Sequence, residues 1–162
     1  SEKSQLSLLT VGIDYQRKGI DKSSSLVKLL GCKGTIVGTN IKIDKQTKEG
    51  IAQMVAYYKA AHFFVLLSRA DCTPIVINEA NSVGLPVIVS NVGGINSVVK
   101  EGVNGFIVET ETDAVAIIEQ FIGNSEAYTA LRKSTYEYYK KSLTWSIFEK
   151  TILTTFGENR HH

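Results

Sequence analysis

Three short segments combine residue types suited to holding a phosphate or a sugar. In Gly12-Ile13-Asp14-Tyr15-Gln16-Arg17-Lys18-Gly19, adjacent Arg17 and Lys18 lie between two glycines. A guanidinium offers phosphate oxygens a planar, bidentate fork and an ammonium offers a compact charge. Gly12 and Gly19 would let backbone approach a ligand closely. The same residues also describe a solvated basic turn whose glycines serve only geometry. The second segment is Asp71-Cys72-Thr73-Pro74-Ile75-Val76-Ile77-Asn78-Glu79-Ala80. Thr73 is suited to cap a helix whose first position is Pro74, where a missing N–H costs nothing. The unpaired N–H groups of such a start attract anions. Glu79 would share a helix face with Ile75, Val76 and Val83, so its carboxylate would be partly buried and would need partners. Sugar hydroxyls would serve. Asp71 precedes the helix closely enough to line the same cleft. The plainer alternative makes Asp71 a second cap and Glu79 the partner of a buried Lys or Arg. The third segment, Asn91-Val92-Gly93-Gly94, can place bare amides against a phosphate or sugar, or simply permit a sharp turn.

The elements around these segments alternate short apolar runs with helical patterns, as expected of an open parallel sheet flanked by helices. Strands are expected at Leu6 to Gly12, Gly34 to Gly38, Phe63 to Leu67, Pro86 to Val89 and Phe106 to Val108, with a further short one at Ile41 to Ile43. The unbroken run Phe63-Phe64-Val65-Leu66-Leu67 reads as a strand buried on both faces. Helical spacing carries Leu26 to Leu30, Glu49 to Ala61, Pro74 to Gly84, and two stretches from about Thr112 and Ser125. A short helix through Val99 is closed by Gly102, Asn104-Gly105 reads as a turn, and a last helix is capped by Thr144. In such sheets ligands bind outside the carboxyl ends of the strands, where all three segments fall.

Bulk properties narrow the function classes. The chain has 162 residues, 43% apolar and 21% charged, as one soluble globular domain would. A net charge of +2 gives no argument for nucleic acid or an anionic membrane. Cys32 and Cys72 match no metal or redox spacing and read as free thiols of a reducing, cytoplasmic compartment. No apolar run approaches the ~20 residues of a membrane span, and no signal peptide is visible. His161 and His162 read as the remnant of a purification tag. The start, almost directly in a strand, suggests a piece of a longer protein. Gly-x-Gly-x-x-Gly, Walker A and nucleophile-elbow patterns are all missing. His62, the only histidine outside the tail, reads as a helix-to-strand junction, which leaves little from which to build a zinc site or a catalytic triad. Glu109, Glu111 and Asp113 form either a metal cluster or, more simply, the acidic start of the next helix.

At these segments the chain resembles the retaining glycosyltransferases of family 4, in the donor-binding, C-terminal half of their GT-B fold. The motifs are Val11-Gly12 followed by Lys18-Gly19; two acids, Asp71 and Glu79, with seven residues between, then Ala80 and Gly84-Leu85-Pro86-Val87-Ile88; Gly93-Gly94; Gly102-Val103-Asn104-Gly105; and Thr144-Trp145. They run from about Leu6 to Phe156. The resemblance implies a Rossmann-like domain over residues 1–160 that binds a UDP-, GDP- or ADP-sugar without metal or other cofactor. Glu79 would take the ribose hydroxyls, Asp71 hydroxyls of the transferred sugar, and Lys18 the diphosphate. Amides near Pro74, Ile75 and Val76 would cradle phosphate, with Gly12, Arg17, Thr73, Gly93 and Gly94 alongside. A saccharide or lipid-linked acceptor would sit on an N-terminal domain outside this chain, as in polysaccharide assembly, free in the cytoplasm or peripheral at the inner membrane face. Three positions depart from the pattern: Ile13 stands where Arg is usual, Asp71 where Glu is, and Cys72-Thr73-Pro74 where Phe-Gly is common. An epimerase or phosphorylase of the same fold and a catalytically silent scaffold are the alternatives.

Overall fold

A computed structural model describes residues 2–12, 17–38, 41–70 and 74–141. Five strands, β1 (Ser7–Val11), β2 (Lys33–Val37), β3 (Phe63–Leu66), β4 (Val87–Ser90) and β5 (Gly105–Val108), form one sheet in the order β2-β1-β3-β4-β5. All its pairings are parallel. Among the described residues the helices are α1 (Glu2–Gln5), α2 (Ile20–Leu30), α3 (Lys48–Ala60), α4 (Pro74–Ser82), α5 (Glu111–Glu119) and α6 (Ser125–Tyr138), with a 3-10 turn at Ile95–Ser97.

Strand alternation sorts the core into two layers. Leu9, Phe64, Leu66, Val87 and Val89 face Met54 and Tyr58 of α3 and Ile77 and Ala80 of α4. Leu8, Phe63, Val65, Ile88 and Val108 face Leu26 and Leu30 of α2 and Ala114 and Ile118 of α5. Every residue of β3 is buried, as its unbroken apolar run requires of a central strand. From β1 the chain crosses outward to β2, then returns past β1 to β3 and continues the other way. The order therefore reverses between β1 and β3, which makes the crevice outside their carboxyl ends the switch point where such sheets take ligands.

Some local expectations change. Ile41 to Ile43 is not a strand; Ile41 makes one isolated bridge to Val37, because Gly38 turns the chain and its N–H bonds the Ile41 carbonyl at 2.6 Å. The short helix before Gly102 is only the 3-10 turn. A four-residue helix, α1, precedes β1, pinned by Lys3 to Glu119 at 3.1 Å. Among Glu109, Glu111 and Asp113, Asp113 completes a capping box with Thr110 at the start of α5, so the acids serve a helix terminus. Thr144 and Trp145 lie outside the described residues.

His62 does join α3 to β3, and it does so through a titratable bond. Its Nδ1 accepts from the Ser7 N–H at 3.0 Å, and its carbonyl accepts from the Tyr128 hydroxyl at 2.6 Å. Burial, with a smaller contribution from Arg132, lowers the His62 pKa from its ordinary 6.5. The unfolded chain therefore binds the proton more readily than the folded one. Stability should be complete above about pH 6.5 and fall as the pH drops below it, because protonating Nδ1 removes the acceptor from Ser7. Urea midpoints at pH 7.5 and 5.5 should differ in that direction, and His62→Gln should narrow the gap. An unchanged gap would remove His62 from the account.

Candidate functional site

The turn between β1 and α2 is built onto the end of β3. Gly19 caps α2 in the left-handed conformation, φ 67°, and a Cβ there would lie 1.8 Å from the Leu67 carbonyl oxygen. Only glycine fits. Two residues beyond Leu67, the Arg69 N–H donates to the Arg17 carbonyl at 2.9 Å. The Arg69 guanidinium grips Asp21 of α2 with two bonds, at 2.7 and 2.6 Å, and holds that carboxyl below its usual range. Arg17, α2 and the residues that leave β3 are thus tied together at the switch point. Arg17 is exposed there and Lys18 half-buried. The Lys18 stem lies over Gly12, where an added Cβ would meet Lys18 Cβ and Cγ at 3.1 Å.

Pro74 is the first residue of α4, as its lack of an N–H favours. Glu79 follows five residues later, about 7.5 Å along the helix from the sheet's carboxyl edge. The core face of α4 is Ile77 and Ala80, while Val76 and Val83 are half-buried beside it. Ile75, expected on the Glu79 face against the core, is instead 61% exposed. Nine residues turning 100° each can seal only one stripe, and Ile77 with Ala80 occupies it. Glu79 faces α3. Its Oε1 and Oε2 accept from Lys45 Nζ at 2.8 and 2.9 Å, and Oε2 accepts from the Tyr58 hydroxyl at 2.9 Å. Beside it a groove of about 340 Å³ runs between α3 and α4, lined by Ile51, Met54, Val55 and Val83 with Ser82. Gly93 and Gly94 close the set at the carboxyl end of β4, both exposed, with Gly93 at φ 54°. A different hollow of about 320 Å³, lined by Glu2, His62, Phe121 and Tyr128, opens at the opposite, amino edge.

Residues 2–138 match the family described as glycosyl transferases group 1. The chain belongs to that family. It is 33% identical over 88 residues to a D-inositol 3-phosphate glycosyltransferase of Catenulispora acidiphila, a match covering 53% of this chain and 21% of that protein. Its fold superposes on WaaG, a glycosyltransferase involved in lipopolysaccharide biosynthesis, with TM-score 0.70 at 19% identity over 93% of this chain and 47% of WaaG. It also superposes on Anabaena HepE, solved in complex with UDP-glucose, with TM-score 0.68 at 16% identity over 85% and 44% of the two chains. The chain spans less than half the length of these solved structures. Its five-stranded parallel sheet with flanking helices is the C-terminal portion of the GT-B fold.

Within this glycosyltransferase domain the fold gathers Gly12, Arg17, Lys18, the start of α4, Gly93 and Gly94 at one edge of the sheet. Glu79 lies more than one helical turn down α4 from its first residue and is hydrogen-bonded to Tyr58 of α3. Asp71, Cys72, Thr73 and Ile13 lie outside the described residues. Among the described residues no group of three or more His, Cys, Asp and Glu is placed to hold a metal, and no helix is long and apolar enough to cross a membrane. Sequence reasoning missed Lys45 and Tyr58. Tyr58 was legible only as an apolar member of α3, yet a buried phenol needs a polar partner, and that requirement was the available signal.

Proposed function

We propose that this domain binds the nucleoside-diphosphate sugar of a retaining glycosyltransferase, the acceptor being held by a second, N-terminal domain. The observation that carries the proposal is the tie of Arg17 and α2 to the residues leaving β3 at the switch point, through Arg69 N–H to the Arg17 carbonyl and Arg69 to Asp21. Phosphates set there would meet the α4 amides of Ile75 and Val76 and the Lys18 ammonium together. The diphosphate is the leaving group of such a transfer. Cationic and amide donors already in place stabilise its developing charge without reorganisation. Further down α4, Glu79 offers carboxylate oxygens to a pair of hydroxyls, which is the ribose role the family motif assigns. Asp71, the first acid of that motif, would take hydroxyls of the sugar. Gly93 and Gly94, exposed in the loop after β4, would bring their amides to the same edge. Relatives that transfer sugars, and HepE with its bound UDP-glucose, support the donor class.

Calorimetric titration of UDP, GDP and ADP tests this directly. At least one should bind the 162-residue chain. Lys18→Ala and Glu79→Ala should each weaken it roughly 10- to 100-fold, the scale of a lost charged hydrogen bond. Lys18→Ala should also weaken inorganic pyrophosphate, whereas Glu79→Ala should not. Absence of binding by all three diphosphates would favour a silent scaffold and end the proposal.

A further inference from the structure

We infer that Tyr58 is a positioning residue: its buried hydroxyl fixes the orientation in which the Glu79 carboxylate meets a ligand diol. The inference rests on the ribose role proposed for Glu79. Tyr58 is 2% exposed on the inward face of α3, and its ring packs tilted against Phe64 of the central strand at 6.0 Å between centroids. The phenol is therefore held by the sheet itself. From there its hydroxyl reaches Glu79 Oε2 at 2.9 Å, across the apolar groove between α3 and α4.

The two partners of Glu79 differ in what they can do. Lys45 bridges both carboxylate oxygens, but its side chain is 42% exposed and rises from the segment before α3. An exposed ammonium on a flexible stem exchanges its partner for water at little cost. Tyr58 has no such freedom. Burial, reinforced by the charge of Glu79, raises its phenol far above the ordinary value, so it stays a donor at any working pH. A carboxylate has about four lone-pair sites. With Lys45 displaced, Tyr58 still occupies one site on Oε2, which leaves Oε1 and the outer side of Oε2 for two adjacent hydroxyls. Without the phenol the carboxylate could rotate about its terminal torsion, which is intrinsically broad.

The test uses Tyr58→Phe, which keeps the ring and removes only the hydroxyl. UDP, GDP and ADP, each with its 2′,3′-dideoxy counterpart, and pyrophosphate are titrated into wild type, Tyr58→Phe, Glu79→Gln and the double variant. For the diphosphate that binds best, Tyr58→Phe should weaken affinity roughly three- to tenfold. It should leave the dideoxy counterpart and pyrophosphate unchanged, and it should add nothing in the Glu79→Gln background. In the NMR spectrum the Tyr58 hydroxyl proton, slow to exchange because it is buried, should shift in Glu79→Gln even without nucleotide. Equal weakening of all ligands, additivity with Glu79→Gln, or an unmoved hydroxyl signal would overturn the inference. Wild type that binds a diphosphate and its dideoxy counterpart equally would instead remove the ribose role of Glu79, and this inference with it. Wild type that prefers the ribose form, combined with a silent Tyr58→Phe, would remove Tyr58 alone.

Discussion

Gly19→Ala should abolish nucleotide binding and lower the stability of the chain by about 3 kcal/mol or more. Two costs combine. The left-handed φ of 67° disfavours any residue with a Cβ, by about 1–2 kcal/mol. In addition, that Cβ would stand 1.8 Å from the Leu67 carbonyl oxygen, and both sides of the contact are backbone, so no rotamer relieves it. The turn would have to lift off the end of β3, which breaks the Arg69 N–H to Arg17 bond and moves Lys18 with it. Lys18→Ala provides the contrast: a half-buried side chain is lost and the turn geometry stays, so its unfolding free energy should remain within about 1 kcal/mol of wild type while binding falls. Urea denaturation and calorimetry on the two variants separate the effects. Wild-type stability and wild-type affinity in Gly19→Ala would mean that the turn is not anchored as described.

The elements were legible in the sequence because each carries its own period. Phe63 to Leu67 announces a strand buried on both faces, and Pro74 and Gly84 punctuate α4. The strand order was not readable from the pattern itself, because parallel neighbours such as Leu8 and Phe63 meet only through a long crossover that leaves no local mark. The family motif implied it. The site divided in the same way. Gly12, Lys18, Glu79 and the paired glycines stand out by type and spacing. The partners of Glu79 do not: with 18 Lys and Arg in the chain, nothing local singles out Lys45, 34 positions away. The sequence allowed for a buried cation beside Glu79; the structure supplies an exposed one, together with a phenol. Ile75 shows the limit of helical periodicity, since a wheel gives relative directions but not which stripe meets the sheet. Asn104 shows another limit. With Gly105 it reads as a turn, and the chain does turn there, but the dipeptide gives no sign that the Asn104 side chain is fully buried and hydrogen-bonded.

That burial makes Asn104→Ala the second large effect. Asn104 Nδ2 donates to Asn81 Oδ1 and to the Val98 carbonyl, both at 2.8 Å, and its Oδ1 accepts from the Lys100 N–H at 2.7 Å. Asn81, equally buried on α4, passes the network on through Nδ2 to the Leu85 carbonyl at 3.0 Å. Truncation at 104 removes the partner of the buried Asn81 oxygen, of the Val98 carbonyl and of the part-buried Lys100 amide. A loss on the order of 3–4 kcal/mol is expected. Asn104→Asp should fare no better although it has the same shape: it keeps the acceptor for Lys100 but turns a buried carboxylate toward two oxygens that can only accept. Because Asn81 follows Glu79 by two residues on the same helix, the network also sets the register of α4 against the sheet. The Asn81→Ala, Asn104→Ala double variant should therefore cost clearly less than the sum of the two single variants. Denaturation curves that place Asn104→Ala within about 1 kcal/mol of wild type, or that make the pair additive, would show that the two amides do not act as a unit.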